Sequence, residues 1–375
     1  MVIAVNTRFL LKDYLEGYGY FIYETFTRMA VKYPEHKFIF IFDRAFDCNL
    51  QFPINVTMVI KGPGARHPIL WWIWYNFSLP AVAKEYHADV IVSPDGFCSL
   101  NTNIPQCLVV HDLSFLHYPA FNKKSHLRFS KFFMPKFLKR AASIATVSEF
   151  SKYDIIKQYK IPTAKIDVVY SGISAQFLPV SLEEREKTKS AYSDGREYFL
   201  FTGAIHPRNN LVNLLKAFSI FKKRQKSGMK LVIAGRIASQ YESFLNSLKS
   251  YKFREDVVLT GYLERTELVK LTASAYAMIY PSFFEGFGVP PLEAMRCGVP
   301  VVTSPNSAMQ EICADAALYA DPNNPADIAT QIMLLFKDEN LRNEMISAGL
   351  AHSQIYNWDR TANLLWESII RACKK

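Results

Sequence analysis

The sequence predicts an α/β protein built from two doubly wound parallel sheets. Three observations carry that expectation. The 375 residues exceed the ~250–300 at which one hydrophobic core stops growing. Short apolar runs alternate with longer amphipathic segments from end to end, as parallel strands joined by helical crossovers require. Hydrophobic residues make up 50% and charged residues 21%, enough apolar side chain for real cores and too little charge for a disordered chain.

In order, Val2–Val5, Phe38–Phe42, Val56–Ile60, Val90–Ser93, Leu108–His111, Ile144–Val147 and Ile166–Tyr170 read as strands of the first half. After Ser171-Gly172 the chain turns polar and charge-rich over 181–196, which reads as a joint near 172–196. A second series follows: Tyr198–Thr202, Leu231–Ala234, Val257–Leu259, Met278–Tyr280 and Val299–Thr303. The expected boundary lies between 175 and 176. Such sheets bind ligands outside the carboxyl ends of their strands, so two Rossmann-like domains facing each other across a cleft would hold one ligand end each.

Forty-four Lys and Arg against 34 Asp and Glu leave a formal charge of +10, which favours nucleotide phosphates, nucleic acid or an acidic membrane face without choosing among them. Cys48, Cys98, Cys107, Cys297, Cys313 and Cys373 are scattered, which argues against a disulfide framework or structural zinc and for a reducing compartment. No D-x-D pair or His/Cys cluster occurs, so no metal is expected. The apolar start, Met1 to Val5, is too short for a signal peptide, so the expected location is cytoplasmic. The uncharged stretch His67–Ala83 contains Pro68, Asn76 and Pro80 and falls short of a spanning helix, leaving a buried or interfacial one.

The most informative segment is Tyr280–Val301, YPSFFEGFGVPPLEAMRCGVPV. A strand ends, a glycine-punctuated loop follows, and Pro290-Pro291 opens a short helix that Gly298 stops. Amides of Gly286, Phe287, Gly288 and Val289 at the start of that helix make an anion site. Glu285 and Glu293 can reach different parts of one ligand, because a carboxylate accepts hydrogen bonds from a pair of neighbouring hydroxyls. Singly, each acid also fits a plain helix-terminal or solvated role.

This segment resembles the retaining glycosyltransferases of family 4, of GT-B fold, whose signature is a Glu, seven residues and a second Glu within E-G-F-G-x-P-x-x-E-A-M. The likeness extends through Gly17-Tyr-Gly19, Val110-His111-Asp112, Thr146-Val-Ser148-Glu-Phe-Ser151, Phe201-Thr-Gly203, Pro207-Arg208-Asn209-Asn210, Leu259-Thr-Gly261 and Glu311 to Asp315. The resemblance implies a nucleotide diphosphate sugar as donor substrate, held mainly by a second domain of 176–355. An acceptor would lie on a first domain of 1–175, with a C-terminal helix of about 356–375 packing back onto it. By the same resemblance Glu285 anchors the donor sugar, Glu293 the ribose, and His111 donates a hydrogen bond to the donor. Arg208 clamps the diphosphate. Asn209 stands where the family usually carries lysine, and Arg236 is the candidate to compensate. Gly17 and Gly19 fall where the family has a glycine-rich acceptor or phosphate loop, here read as lying ahead of a helix that begins near Tyr20.

Between Asp112 and Glu149 there is no acidic residue, and Phe121–Arg140 carries seven Lys or Arg among five Phe. Two readings stay open: a helix resting on an anionic leaflet near lipid-linked acceptors, or an amphipathic crossover with Phe in the core and Lys in water. The resulting expectation is a retaining, metal-independent hexosyltransferase that needs no cofactor. It would move mannose or glucose to a glycan or lipid-linked acceptor in cell-surface polysaccharide synthesis, in the cytoplasm or peripherally on the inner membrane face. A sugar-nucleotide epimerase or glycan phosphorylase of the same fold is the alternative. A nucleic-acid-binding protein is a further one, and the expectation is that nucleic acid is not a partner.

Overall fold

A computed structural model describes residues 1–11, 15, 17–46, 50–238 and 241–374. Cys48 lies outside the described residues. The first series of elements is β1 (Val2–Asn6), α1 (Gly17–Lys32), β2 (Lys37–Phe42), β3 (Val56–Ile60), α2 (Pro68–Ile73), α3 (Leu79–Glu85), β4 (Val90–Ser93), β5 (Gln106–Val110), α4 (Ser114–His117), α5 (Lys124–Arg140), β6 (Ser143–Thr146), α6 (Glu149–Tyr159) and β7 (Ile166–Val168). The second is α7 (Leu182–Ser193), β8 (Tyr198–Thr202), α8 (Leu211–Gln225), β9 (Lys230–Ala234), α9 (Glu242–Lys249), β10 (Val257–Gly261), α10 (Arg265–Ala273), β11 (Ala277–Tyr280), α11 (Val289–Arg296), β12 (Val301–Thr303), α12 (Met309–Cys313), β13 (Leu318–Tyr319), α13 (Pro325–Lys337) and α14 (Glu339–Ser353). The last helix is α15 (Trp358–Cys373). One compact unit comprises Met1–Gly172 with α15, the other Ile173–Asn357.

Each unit is a wholly parallel sheet, in the order β3-β2-β1-β4-β5-β6-β7 in the first and β10-β9-β8-β11-β12-β13 in the second. A parallel sheet covered by helices on both faces buries the side chains of its inner strands, which is why the middles of β5, β8, β9 and β11 are apolar runs without alternation, whereas the edge strands β3 and β10 keep exposed side chains. In both sheets the chain reverses its direction of growth beside the first strand, between β1 and β4 and between β8 and β11. The crevice at such a reversal is where an open α/β sheet takes its ligand.

The polar stretch expected to be a joint is structured over most of its length. Ser181 accepts a hydrogen bond from the Glu184 amide at 3.2 Å, a capping pattern that starts α7, and Lys187 pairs with Glu183 one turn away at 2.7 Å. Charge here marks a polar, largely exposed helix of the second unit, not a linker. Strand ends also shift: β5 stops at Val110, one residue before His111, β12 starts at Val301 and not Val299, and the two-residue β13 was too short to show as an apolar run. The closing helix α15 belongs to the first unit. Ser143 donates to the Ser368 carbonyl at 2.8 Å, Thr361 to the Tyr170 carbonyl at 2.8 Å, and Trp366 stacks on Tyr33 with ring centres 4.0 Å apart.

Candidate functional site

In the second unit, the reversal between β8 and β11 brings together groups 77 residues apart in the chain. The loop after β8 makes a single turn, Pro207–Asn209, whose Arg208 reaches Glu285 in the loop after β11. One guanidinium nitrogen lies 3.2 Å from Glu285 Oε2 and 3.2 Å from the Phe284 carbonyl. Backbone bonding reinforces the approach, since the Phe283 amide donates to the Arg208 carbonyl at 2.9 Å. Glu285 is only 7% exposed, and its other oxygen accepts from the Tyr280 hydroxyl at 3.2 Å. Burial, then the neighbouring carboxylate, holds the Tyr280 hydroxyl well above its usual titration range, so it stays a donor. The Glu285 amide donates to Ser307 Oγ at 2.8 Å, and the Ala308 amide donates to the Glu285 carbonyl at 3.2 Å. Sequence reasoning found Arg208 and Glu285 separately. It missed their pairing and the supports Tyr280 and Ser307, which carry no local motif.

After Glu285 the chain turns through Gly288, whose φ of +96° only glycine adopts without strain. A Cβ there would also sit 2.4 Å from Met309 Sδ. α11 then begins, with Pro290 and Pro291 in its first turn. Neither has an N–H, so the helix supplies its dipole and the Val289 amide, and the remaining donors at this end belong to the loop backbone. The ring of Phe287 is buried and packs edge-on against Tyr356 at 5.6 Å, away from the role expected of its backbone amide. Glu293 follows on α11. Burial pushes its carboxyl up to about 7, against a downward pull from Arg265 at the start of α10.

Asn209 turns inward. Its amide donates to the Ala204 carbonyl at 2.6 Å and the residue is 5% exposed, so this position presents no group to a diphosphate. Asn210 bonds the Pro281 and Pro322 carbonyls at 2.9 and 2.6 Å, tying the start of α8 to the loops after β11 and β13. Arg236 lies beside the Arg208 loop through its backbone, whose carbonyl accepts from the Ile205 amide at 2.9 Å.

In the first unit, His111 follows β5 directly. Its Nε2 lies 3.0 Å from the Pro94 carbonyl, which can only accept, so the proton is on Nε2. Burial lowers the imidazole's pKa, against upward contributions from the Pro94 bond, Asp112 and Asp95. The ring is therefore neutral near pH 7, with Nδ1 an acceptor. The expected donation from this imidazole does not fit that arrangement, because with Nε2–H on the Pro94 carbonyl its other nitrogen can only accept. Gly17 and Gly19 are also corrected. Both lie in the first turn of α1 and not in a loop ahead of it. A Cβ at Gly19 would fall 2.8 Å from the Phe9 carbonyl, whereas one at Gly17 would meet nothing within 4 Å. Gly19 thus serves close packing of the chain on itself.

A buried cluster at the β1/β4 reversal was invisible in the sequence. Asp95 Oδ2 accepts from Arg8 Nε at 2.6 Å, from Asn6 Nδ2 at 3.0 Å and from the Tyr75 hydroxyl. Both units therefore place an arginine–carboxylate pair at the carboxyl edge where their sheets reverse.

Comparison with known proteins identifies the family. Residues 183–352 match the family described as glycosyl transferases group 1, and residues 35–177 match Glycosyltransferase Family 4. The chain belongs to the glycosyltransferases of family 4. This family-4 glycosyltransferase is 32% identical over 251 residues to the O-antigen chain mannosyltransferase B of Escherichia coli, covering 66% of each chain. It is 29% identical over 272 residues to a serotype-specific mannosyltransferase, WbdA, of the same species, spanning 70% of this chain and about a third, 33%, of that one. The solved sucrose-phosphate synthase of Thermosynechococcus elongatus superposes with a TM-score of 0.79 at 16% identity, covering 98% and 97% of the two chains. The glycosyltransferase has the GT-B fold of these neighbours. Among its described residues no three His, Cys, Asp or Glu side chains converge as a metal site, and no helix is long and apolar enough to cross a membrane.

Proposed function

We propose that the protein transfers a hexose, with mannose favoured over glucose, from a nucleotide diphosphate sugar to a hydroxyl of a glycan or lipid-linked acceptor in cell-surface polysaccharide synthesis, with retention at the anomeric carbon. The relatives named for mannosyl transfer support the sugar. The observation that carries the reading is the Arg208–Glu285 pair beside the start of α11, with Glu293 one turn further on. Here a cation for phosphate and a carboxylate for sugar hydroxyls share one edge.

In this reading the second unit, Ile173–Asn357, binds the donor and the first, Met1–Gly172 with the closing helix, the acceptor. Glu285 accepts from donor sugar hydroxyls and fixes the sugar's orientation. Glu293 accepts from the ribose diol. Arg208, Arg236, the helix dipole and backbone amides of Gly286–Val289 stabilise the charge that grows on the departing diphosphate, which is where electrostatic stabilisation lowers a barrier most. His111 accepts from a sugar hydroxyl and Asp112 orients its loop. No group in the second-unit site is placed as a covalent nucleophile. Attack from the face of departure through an oxocarbenium-like state, with a leaving phosphate oxygen taking the acceptor proton, needs only positioning and charge.

The test incubates the protein with GDP-mannose or UDP-glucose and a hydroxyl acceptor in a chelator, and assigns the product's anomeric configuration by NMR from the one-bond coupling between C1 and H1. An axial (α) glycoside from an axial donor is expected; an equatorial product, or transfer that stops when metal is removed, contradicts the reading.

The basic helix α5 adds a membrane contact to the proposal. Phe129 and Phe137 are buried, but Phe132 is 59% exposed amid exposed Lys131, Lys136 and Lys139. Ile69, Trp72 and Phe77 on the helices after β3 are exposed too, and α2 packs against α5. Apolar tips within a basic field suit an anionic leaflet. Co-sedimentation is expected with vesicles containing phosphatidylglycerol, to weaken in high salt and to fall in a Trp72→Ser/Phe132→Ser variant. Equal binding to purely zwitterionic vesicles would contradict the charge argument.

A further inference from the structure

We propose that the buried Arg8–Asp95 pair is a positioning device that fixes the orientation and tautomer of His111 through two separate arms. The first arm is polar. Asp95 is held by Arg8, Asn6 and Tyr75, with side chains only 6% (Arg8) and 1% (Asp95) exposed, and the adjoining residue is Pro94, whose carbonyl receives the His111 Nε2 proton at 3.0 Å. β4 lies between β1 and β5, so a residue tethered from β1 sets the position of a carbonyl that serves the end of β5. The second arm is aromatic. The Arg8 guanidinium sits 4.5 Å over the Phe9 ring, Phe9 packs on Tyr18 at 5.0 Å, and Tyr18 meets the His111 ring edge-on at 4.5 Å. Phe21 also meets the imidazole edge-on, at 5.0 Å. One arm thus fixes the edge of the ring and the other its plane.

The arrangement explains an otherwise costly feature. Burying an ion pair seldom stabilises a fold over an apolar pair of similar shape, and Asp95 Oδ1 has no hydrogen-bond partner among the described residues. Arg8 further donates to the Ala65 carbonyl at 3.0 Å, so its head is clamped from a third direction. Such a cluster gives rigidity: with Nε2–H committed to Pro94, Nδ1 is the one nitrogen left to a ligand, and it faces that ligand as a lone pair. This is the same logic by which a partner on one imidazole nitrogen sets the chemistry of the other.

The experiment records long-range 1H–15N correlation spectra of the full chain labelled at histidine, alongside steady-state transfer. The inference rests on the proposed function only for its kinetic half. Wild-type His111 is expected wholly in the Nε2–H form near pH 7. Asp95→Asn and Arg8→Met are expected to mix the two tautomers and to lower kcat about tenfold or more with donor KM within about twofold, the loss typical of a displaced catalytic group. Should either buried variant not fold, Tyr18→Leu carries the test from the half-exposed end of the aromatic arm: it is expected to broaden the His111 signals and lower kcat, and Tyr18→Phe, which keeps the ring, to restore both. Persistence of the pure Nε2–H form in folded Asp95→Asn, or in Tyr18→Leu with wild-type kcat, overturns the inference. A shifted tautomer with unchanged kcat supports the positioning device and contradicts the placing of His111 at the substrate.

Discussion

Glu285→Ala is expected to lower kcat by about 10²-fold or more while leaving nucleoside diphosphate affinity unchanged or slightly tighter. The first part follows from chemistry: a buried carboxylate accepting from sugar hydroxyls makes charge-assisted bonds worth about 1.5–3 kcal/mol each, and misorientation of the sugar adds to the loss. The second part follows from geometry. Arg208 spends a guanidinium nitrogen on Glu285 at 3.2 Å, so removing the acid leaves more positive field for phosphate. Glu285→Gln separates charge from shape, since it keeps an acceptor for Tyr280 and loses the ion pair. Kinetics together with calorimetric titration of the free diphosphate check both halves. Weakened diphosphate binding with normal turnover would reverse the assigned roles.

The second large effect concerns Glu293 and pH. Its carboxyl, pushed up to about 7 by burial, is half ionised at neutral pH in the ligand-free protein. A ribose diol donating to it favours the ionised form, so donor affinity is expected to rise with pH and to level off above about 8; between pH 8 and 6 the change is about tenfold if only the ionised form binds. A nucleotide sugar is the right probe, because its diphosphate is a diester that does not titrate in this window. Glu293→Ala or Gln is expected to weaken binding and flatten the profile. Stability runs the other way. A carboxyl whose pKa is raised by folding contributes stability that is complete below about 4.5 and is lost as pH rises through about 7, so the ligand-free protein bears the cost of ionisation at pH 8. Gln at this position is expected to raise stability at pH 8 relative to pH 5 by an amount on the order of 2 kcal/mol, measured by urea unfolding. A site that stabilises its ligand by destabilising the empty fold would show this opposition; parallel loss of stability and affinity would contradict it.

Much of the architecture was legible because parallel strands buried on both faces write themselves as apolar runs, and Tyr198–Thr202 and the strand ending at Tyr280 end where those runs end. Residues 181–196 misled because a helix that exposes most of its surface has the composition of a linker, and only the Ser181 cap distinguishes it. The site was legible in its parts. Glu285, Glu293, Gly288 and the paired prolines form a local pattern, and the positive φ at Gly288 is what such a pattern implies. What spacing cannot supply is contact across the sheet: Arg208 with Glu285, and Arg8 with Asp95, meet because β8 neighbours β11 and β1 neighbours β4. Arg8 in particular follows a polar Asn-Thr that carries no motif, and its burial comes from the third dimension. Gly17 and Gly19 misled for the opposite reason, since a spacing that suits a phosphate loop equally suits the tight first turn of a helix packed on Phe9.

The most direct test of the account is a crystal structure of the protein with a bound nucleoside diphosphate. The expected result is the diphosphate against the Gly286–Val289 backbone within hydrogen-bonding reach of Arg208, and the ribose hydroxyls on Glu293. A ribose that does not touch Glu293, or a diphosphate bound away from the start of α11, would contradict it.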